Sequence, residues 1–127
     1  MLKNNSPKTK KQTVLLVEDD VILNDAFTMM LDKMGFNVVP VFNGKEALDQ
    51  IALKTPDIIL LDLLMPVMDG KEFLRKYKNE KKIPIIVFSN LDSKDDVQEA
   101  LDLGASRYML KAWASPQELA QVISEMI

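Results

Sequence analysis

Apolar residues along this chain follow two alternating rhythms. Short runs of strand length recur at Thr13 to Val17, Asn37 to Val41, Asp57 to Leu61, Ile83 to Phe88 and Ser106 to Leu110, and read as strands of a sheet covered on both faces. Between them the spacing changes to three and four residues, the period of a helix with one buried face. From Val21 to Met34 the stripe is Leu23, Phe27, Met30 and Met34, with Gly35 as the stop; the methionines read as core. Asn43 caps a helix to about Lys54 with Glu46 at the capping-box position. Lys71 to about Lys78 is a short charged helix with Phe73, Leu74 and Tyr77 inward. Ser93 caps a helix through Leu103, with Asp96 in its first turn and Gly104 beyond. Ser115, Pro116 and Glu118 open the last helix, whose stripe is Leu119, Val122, Ile123 and Met126. The order βαβαβαβαβα predicts an α/β fold: a doubly wound five-stranded parallel sheet with right-handed crossovers and helices on both faces.

Polar residues follow the apolar runs in a pattern of their own. Glu18, Asp19 and Asp20 come after the first strand, Asp62 after the third, Ser89 and Asn90 after the fourth, and Lys111 after the fifth. In an open α/β sheet the crevice outside the carboxyl ends of the strands is where ligands bind. Taken alone, Asp62 could equally hydrogen-bond its own turn. Convergence of all these groups on one edge favours a functional reading.

Composition narrows the chemistry. The 127 residues suit one domain with a core of its own. Neither cysteine nor histidine is present, which excludes disulfides, thiol nucleophiles, Cys- or His-ligated metals and phosphohistidine. Any metal must be held by oxygen. Residues 1–12 carry Lys3, Lys8, Lys10 and Lys11 and no acid, so the remainder is more acidic than the net charge of −3 suggests. That segment reads as a flexible basic leader, residues 13–127 as the domain, and so acidic a body argues against direct nucleic-acid binding. Lys76, Lys78, Lys81 and Lys82 read as a solvated face. No apolar run is long enough for a membrane span and no signal peptide is evident, so a cytoplasmic location is expected.

Carboxylates gathered in one crevice repel each other, and protonation of one or a bound divalent cation relieves the repulsion. Mg²⁺ suits a few carboxylates, completing its shell with waters and a phosphoryl oxygen. An aspartate beside it is a competent nucleophile toward phosphorus. Lys111 supplies a point charge for a phosphoryl oxygen and the Ser89 hydroxyl a hydrogen bond.

The set resembles the receiver domain of two-component response regulators over essentially all of Thr13 to Ile127. VEDD after the first strand, LLDLLMPVMDG around the third, FSN after the fourth and YMLK at the fifth carry the resemblance. It implies a flavodoxin-like strand order 2-1-3-4-5 and Asp62 as phosphoacceptor. It implies Mg²⁺ held by Glu18, Asp19, Asp62 and the main-chain carbonyl of Leu64, with Asp20 a lesser acid. It implies Ser89 as the switch hydroxyl and Lys111 as counter-ion. Tyr108 matches the aromatic switch position, which is the reading preferred over that of a packed or half-exposed strand tyrosine. The implied partners are a histidine kinase or phosphotransfer protein as donor. A downstream protein or a second receiver would bind the face of the fourth helix, fifth strand and fifth helix, roughly Ser93 to Ile127. Such a domain speeds its own phosphorylation and dephosphorylation and turns over no separate substrate.

Two departures from the family pattern stand out. Proline usually follows the lysine, often with a cis bond, whereas here Ala112 and Trp113 follow; the loop is expected to be trans and rearranged, or cis under strain. Trp113 stands where the family usually has Phe and reads as a core residue or a partner anchor, with core packing expected. Asn90 stands where a small residue is commoner, and with Leu64 and Leu91 it is expected to alter phosphorylation and hydrolysis rates. A phosphohydrolase of the haloacid dehalogenase type would need an acid at position 64, and a flavin carrier a phosphate loop where acids stand. The strongest rival is a pseudo-receiver that binds partners without phosphorylation.

Overall fold

Strands with no polar face must be covered on both sides, and three of the five are of that kind. In the computed structural model, which describes residues 11–127, β1 (Thr13–Val17), β3 (Ile58–Leu61) and β4 (Ile85–Ser89) are buried along their whole length. The less buried β2 (Asn37–Val41) and β5 (Arg107–Leu110) form the two edges. The sheet is parallel throughout in the order β2-β1-β3-β4-β5.

Side chains alternate across the sheet and so divide between two cores. Leu15, Val17, Ile59, Leu61, Ile85 and Val87 point to one face, where α2 (Gly44–Leu53), α3 (Gly70–Lys76) and α4 (Lys94–Asp102) contribute Ala47, Phe73, Leu74 and Ala100. Val14, Leu16, Ile58, Leu60, Ile86 and Phe88 point to the other. There α1 (Val21–Lys33) supplies Leu31, and α5 (Pro116–Met126) supplies Leu119, Val122 and Ile123. The chain leaves β1 toward one edge and returns past it to β3, so the turns after β1 and β3 diverge and open a crevice at their carboxyl ends.

Each helix begins on a side chain that accepts a hydrogen bond from the third helical N–H: Asp20 from Leu23, Asn43 from Glu46, Asp69 from Glu72, Ser93 from Asp96 and Ser115 from Glu118. Around Ser115 the reciprocal capping box is complete. At Asn43 it is shifted, because Glu46 reaches back to the N–H of Phe42. Gly35 and Gly104, at φ 98° and 116°, end α1 and α4 in a conformation other residues adopt only under strain.

Several boundaries differ from the sequence pattern. β4 starts at Ile85 instead of Ile83, since Pro84 has no N–H to give and only its carbonyl joins the ladder, accepting from Ile59 at 3.0 Å. Asp57 stands outside β3 because its carboxylate is engaged by the N–H of Thr13 at 2.7 Å. α3 runs one residue earlier and ends at Lys76. Met30 packs against the core as expected, but Met34, at the end of α1, is exposed. Of the expected leader, residues 1–10 lie outside the described residues; Lys11 and Gln12 are exposed and belong to no element.

One contact in the fold leaves no room for adjustment. A Cβ on Gly70 would collide with the carbonyl oxygen of Asp62 and lie 2.8 Å from Cα of Leu63, both backbone atoms. The first residue of α3 therefore rests directly on the turn after β3. Gly70→Ala is expected to destabilise the protein by about 2 kcal/mol, the cost of forcing backbone apart in a packed site. A urea midpoint equal to the parent's would show that α3 can retreat freely.

Candidate functional site

Hydrogen-bond ladders that run one residue past the strands position the acids. The N–H of Glu18 donates to Val41 at 3.1 Å, and that of Asp62 to Val17 at 3.0 Å, so both residues continue the sheet at neighbouring strand ends. Glu18 is 3% and Asp62 7% exposed. Buried carboxylates need partners. One oxygen of Asp62 accepts from the N–H of Leu63 at 2.8 Å, and the other from the Lys111 ammonium at 3.0 Å. The same ammonium pairs with Glu18, whose second oxygen accepts from the N–H of Asp20 at 3.1 Å. Lys111 is itself held by its N–H to the Ser89 carbonyl at 3.0 Å, an extension of the β4–β5 ladder.

Burial pushes the Glu18 carboxyl above its usual value, more than its bonds to Lys111 and to the Asp20 N–H lower it; the neighbouring charge of Asp62 adds to the rise. Burial pulls Lys111 down, but Glu18 and Asp62 together raise it further. Asp19 is the most exposed of the three acids that meet here. Single oxygens of Glu18, Asp19 and Asp62 lie within 4.8 Å of one another. Three carboxylates against one ammonium leave excess negative charge on an all-oxygen donor set, which fits a hard divalent cation such as Mg²⁺. Asp20 is exposed and spends its side chain on capping α1.

Ser89 and Tyr108 form a second group beside the first. Ser89 is fully buried, and its Oγ accepts from the N–H of Leu91 at 3.3 Å. The Tyr108 hydroxyl donates to the carbonyl of the same Leu91 at 2.6 Å, and burial holds it above the usual phenol value. Both residues therefore grip one peptide segment, the start of the β4–α4 loop. Leu64 and Asn90 are exposed at the same edge of the sheet.

The loop between β3 and α3 is clamped at both ends. Met68 accepts from the Gly44 N–H at 2.9 Å, and Leu63 from that of Gly70 at 2.9 Å. Between them Val67 has φ 68°, and Met68 donates to Pro66 at 2.7 Å, a tight three-residue turn that is strained for a β-branched residue. After β5 no peptide bond is cis among the described residues, so the bond joining Lys111 to Ala112 is trans. Trp113 does not pack in the core; it is 81% exposed. It sits in the turn that carries the chain off the sheet, donating to Leu110 at 3.2 Å, while Ala114 and Leu119 take the inward positions.

The sequence pattern gave no role to Asn24. It is fully buried on α1, where its amide donates to the carbonyls of Glu18 at 2.9 Å and Val41 at 3.1 Å and its oxygen accepts from Thr28. It thereby ties the acidic turn to the helix that follows. The available signal was a polar residue seven positions before Leu31 on the buried face.

A family profile for the response regulator receiver domain matches residues 14–124. The BeF3-activated N-terminal receiver domain of Klebsiella pneumoniae RstA is 30% identical, with a TM-score of 0.84 over 91% of this chain and 97% of that one. The signal receiver domain of a signal transduction histidine kinase from Syntrophus aciditrophicus is also 30% identical, with a TM-score of 0.81 over 91% and 89%. The chemotaxis response regulator CheY4 of Vibrio cholerae is 26% identical, with a TM-score of 0.84 over 93% and 100%.

The acids gathered here cost stability. In buffer free of divalent cations, Glu18→Gln is expected to be more stable than the parent at neutral pH by about 1 kcal/mol, as relief at a functional site usually is. A carboxyl whose folded-state pKa lies above its unfolded value binds protons preferentially in the native state. Relative to Glu18→Gln, which lacks this group, the parent should therefore gain stability as pH falls through that window, and the variant's margin should narrow. Urea unfolding at neutral pH and at about pH 5 checks this; a margin that stays constant contradicts it.

Proposed function

The chain belongs to the response regulator receiver domain family, and from that premise we propose that it is a phosphorylation-operated switch in a histidine-to-aspartate phosphorelay, with Asp62 as phosphoacceptor. The supporting observation is the grouping of Glu18, Asp19 and Asp62 within 4.8 Å beside the Lys111 ammonium. We assign residues 13–127 to the receiver domain and residues 1–12 to a leader.

In this reading a carboxylate oxygen of Asp62 attacks the phosphorus of a phosphohistidine on a kinase or phosphotransfer partner. The new P–O bond forms as the P–N bond breaks, and the imidazole leaves with the electron pair. The Leu63 N–H holds one oxygen of Asp62, which orients the carboxylate. Lys111 already stands against the other and offers its charge to a phosphoryl oxygen. Glu18, Asp19, Asp62 and the Leu64 carbonyl would hold Mg²⁺, which when bound neutralises charge on the phosphoryl oxygens.

The response runs through hydroxyls. Ser89 now accepts from Leu91; a swing of its hydroxyl toward a phosphoryl oxygen would carry Oγ away from that N–H and alter the segment whose carbonyl holds Tyr108. The face of α4, β5 and α5, with Trp113 at its margin, is where a downstream protein or second receiver would bind. Among the described residues no helix is long and apolar enough to cross a membrane. We place the protein in the cytoplasm, with no direct nucleic-acid role for the acidic body.

Intact mass after incubation with acetyl phosphate is expected to show one phosphoryl adduct that requires Mg²⁺, disappears with a chelator and is absent in Asp62→Ala. Absence of the adduct both with acetyl phosphate and with a phosphorylated histidine donor would leave a phosphorylation-independent protein-binding module. Where the adduct forms, Asn90→Ala is expected to speed its formation several-fold by opening the mouth. Leu64→Asn is expected to shorten its lifetime several-fold by giving the attacking water a polar neighbour. Adduct formation and decay followed by mass would show both, and unchanged rates would remove these side chains from the rate-setting set.

A further inference from the structure

We propose that Lys71 is a positioning residue for Asp62, a strut that ties the backbone of the phosphoacceptor to the start of α4. The proposal rests on the reading of Asp62 given above and names a further control of that site. Its first link is Gly70, packed so closely on the Asp62 carbonyl and Leu63 that no Cβ fits between them, with its N–H donating to Leu63 at 2.9 Å. The next residue is Lys71. Its ammonium contacts Asp96 Oδ1 at 2.6 Å and Glu99 Oε1 at 2.8 Å, so one lysine grips two acids a helical turn apart on α4. Arg75, one turn further along α3, takes the other oxygen of Glu99 at 2.8 Å.

Asp96 is not an ordinary surface acid. It stands at the third position of α4, its N–H donating to the Ser93 hydroxyl at 3.1 Å and its Oδ2 accepting from that hydroxyl at 2.6 Å. Lys71 therefore grips the cap of α4, where the loop from Ser89 ends. At the other end of the same loop Tyr108 and Ser89 hold Leu91. The segment 90–93 is fixed from both sides, and each fixed point leads back to Asp62: one through Ser89 and Lys111, the other through Lys71 and Gly70. The Lys71 side chain is only 21% exposed, so its pairs are screened less than those of a fully solvated lysine. A displacement of α4 must then break or carry Lys71 with it, and through Gly70 it reaches the turn that holds the Asp62 carboxylate.

The test uses reciprocity, since coupling between two places is the same read from either. In the unphosphorylated protein, Asp96→Asn combined with Glu99→Gln is expected to speed hydrogen exchange of the Gly70 amide by roughly two- to fivefold, the scale of a partly exposed ion-pair network. Lys71→Met is expected to do the same at the amides of Asp96 and Val97, whereas Lys71→Arg, which keeps the charge, should leave both regions near the parent. The rate of adduct formation with acetyl phosphate should change in Lys71→Met and return in Lys71→Arg. Loosening confined to α4, with Gly70 unchanged in the Asp96→Asn, Glu99→Gln variant, would overturn the strut. If the parent forms no adduct, the reading of Asp62 fails, while the exchange data still decide on the strut.

Discussion

One ammonium shared by two buried carboxylates is the interaction on which the site depends. Glu18 and Asp62 lose their water because they continue strands whose neighbours are apolar on both faces. Uncompensated, two such charges would cost several kcal/mol. Lys111 compensates them from β5, although β4 lies between β5 and β3 and the strands are about 4.8 Å apart. The long, flexible stem of the lysine spans that distance and brings its compact charge to two acids at once. Position along the sheet thus selects residue type. The strand order brings β1 and β3 together, the ladders bring their last residues level, and the edge strand supplies the cation.

From that centre two mechanical paths lead to the same loop. One follows the sheet, from Lys111 to the backbone of Ser89 and across to Leu91 and Tyr108. The other leaves through the turn after β3 and crosses from α3 to α4 by charged side chains. The first consists of hydroxyl and backbone hydrogen bonds, which are directional and break over small displacements. The second consists of ion pairs, which depend less on angle and are screened by salt.

The periodic parts of the molecule were legible in the sequence. Parallel strands with two covered faces leave continuous apolar runs, and the capping residues Asn43, Ser93 and Ser115 carry their function in their chemistry. The acids and Lys111 were legible because each sits at the end of an apolar run. Other features have no periodic signature. Val67 adopts a positive φ in a loop closed on itself from Leu63 to Gly70 and anchored to the distant Gly44, and a valine gives no hint of that. Lys71 and Asp96 are 25 positions apart and on unrelated stripes, so their pairing exists only once the sheet has placed α3 beside α4. Residue type points Trp113 inward, yet the trans turn after Lys111 leaves the inward places to Ala114 and Leu119.

That outward tryptophan is the single one in the chain. Its indole stands in water two residues beyond the lysine that touches Asp62, and the two tyrosines are the only other near-ultraviolet emitters of consequence. Excited selectively, the protein should emit as a solvent-exposed indole does, at long wavelength and open to collisional quenchers. The fold has therefore placed a built-in optical label on the loop that joins the charged centre to α5, where any repacking of that loop would change its colour.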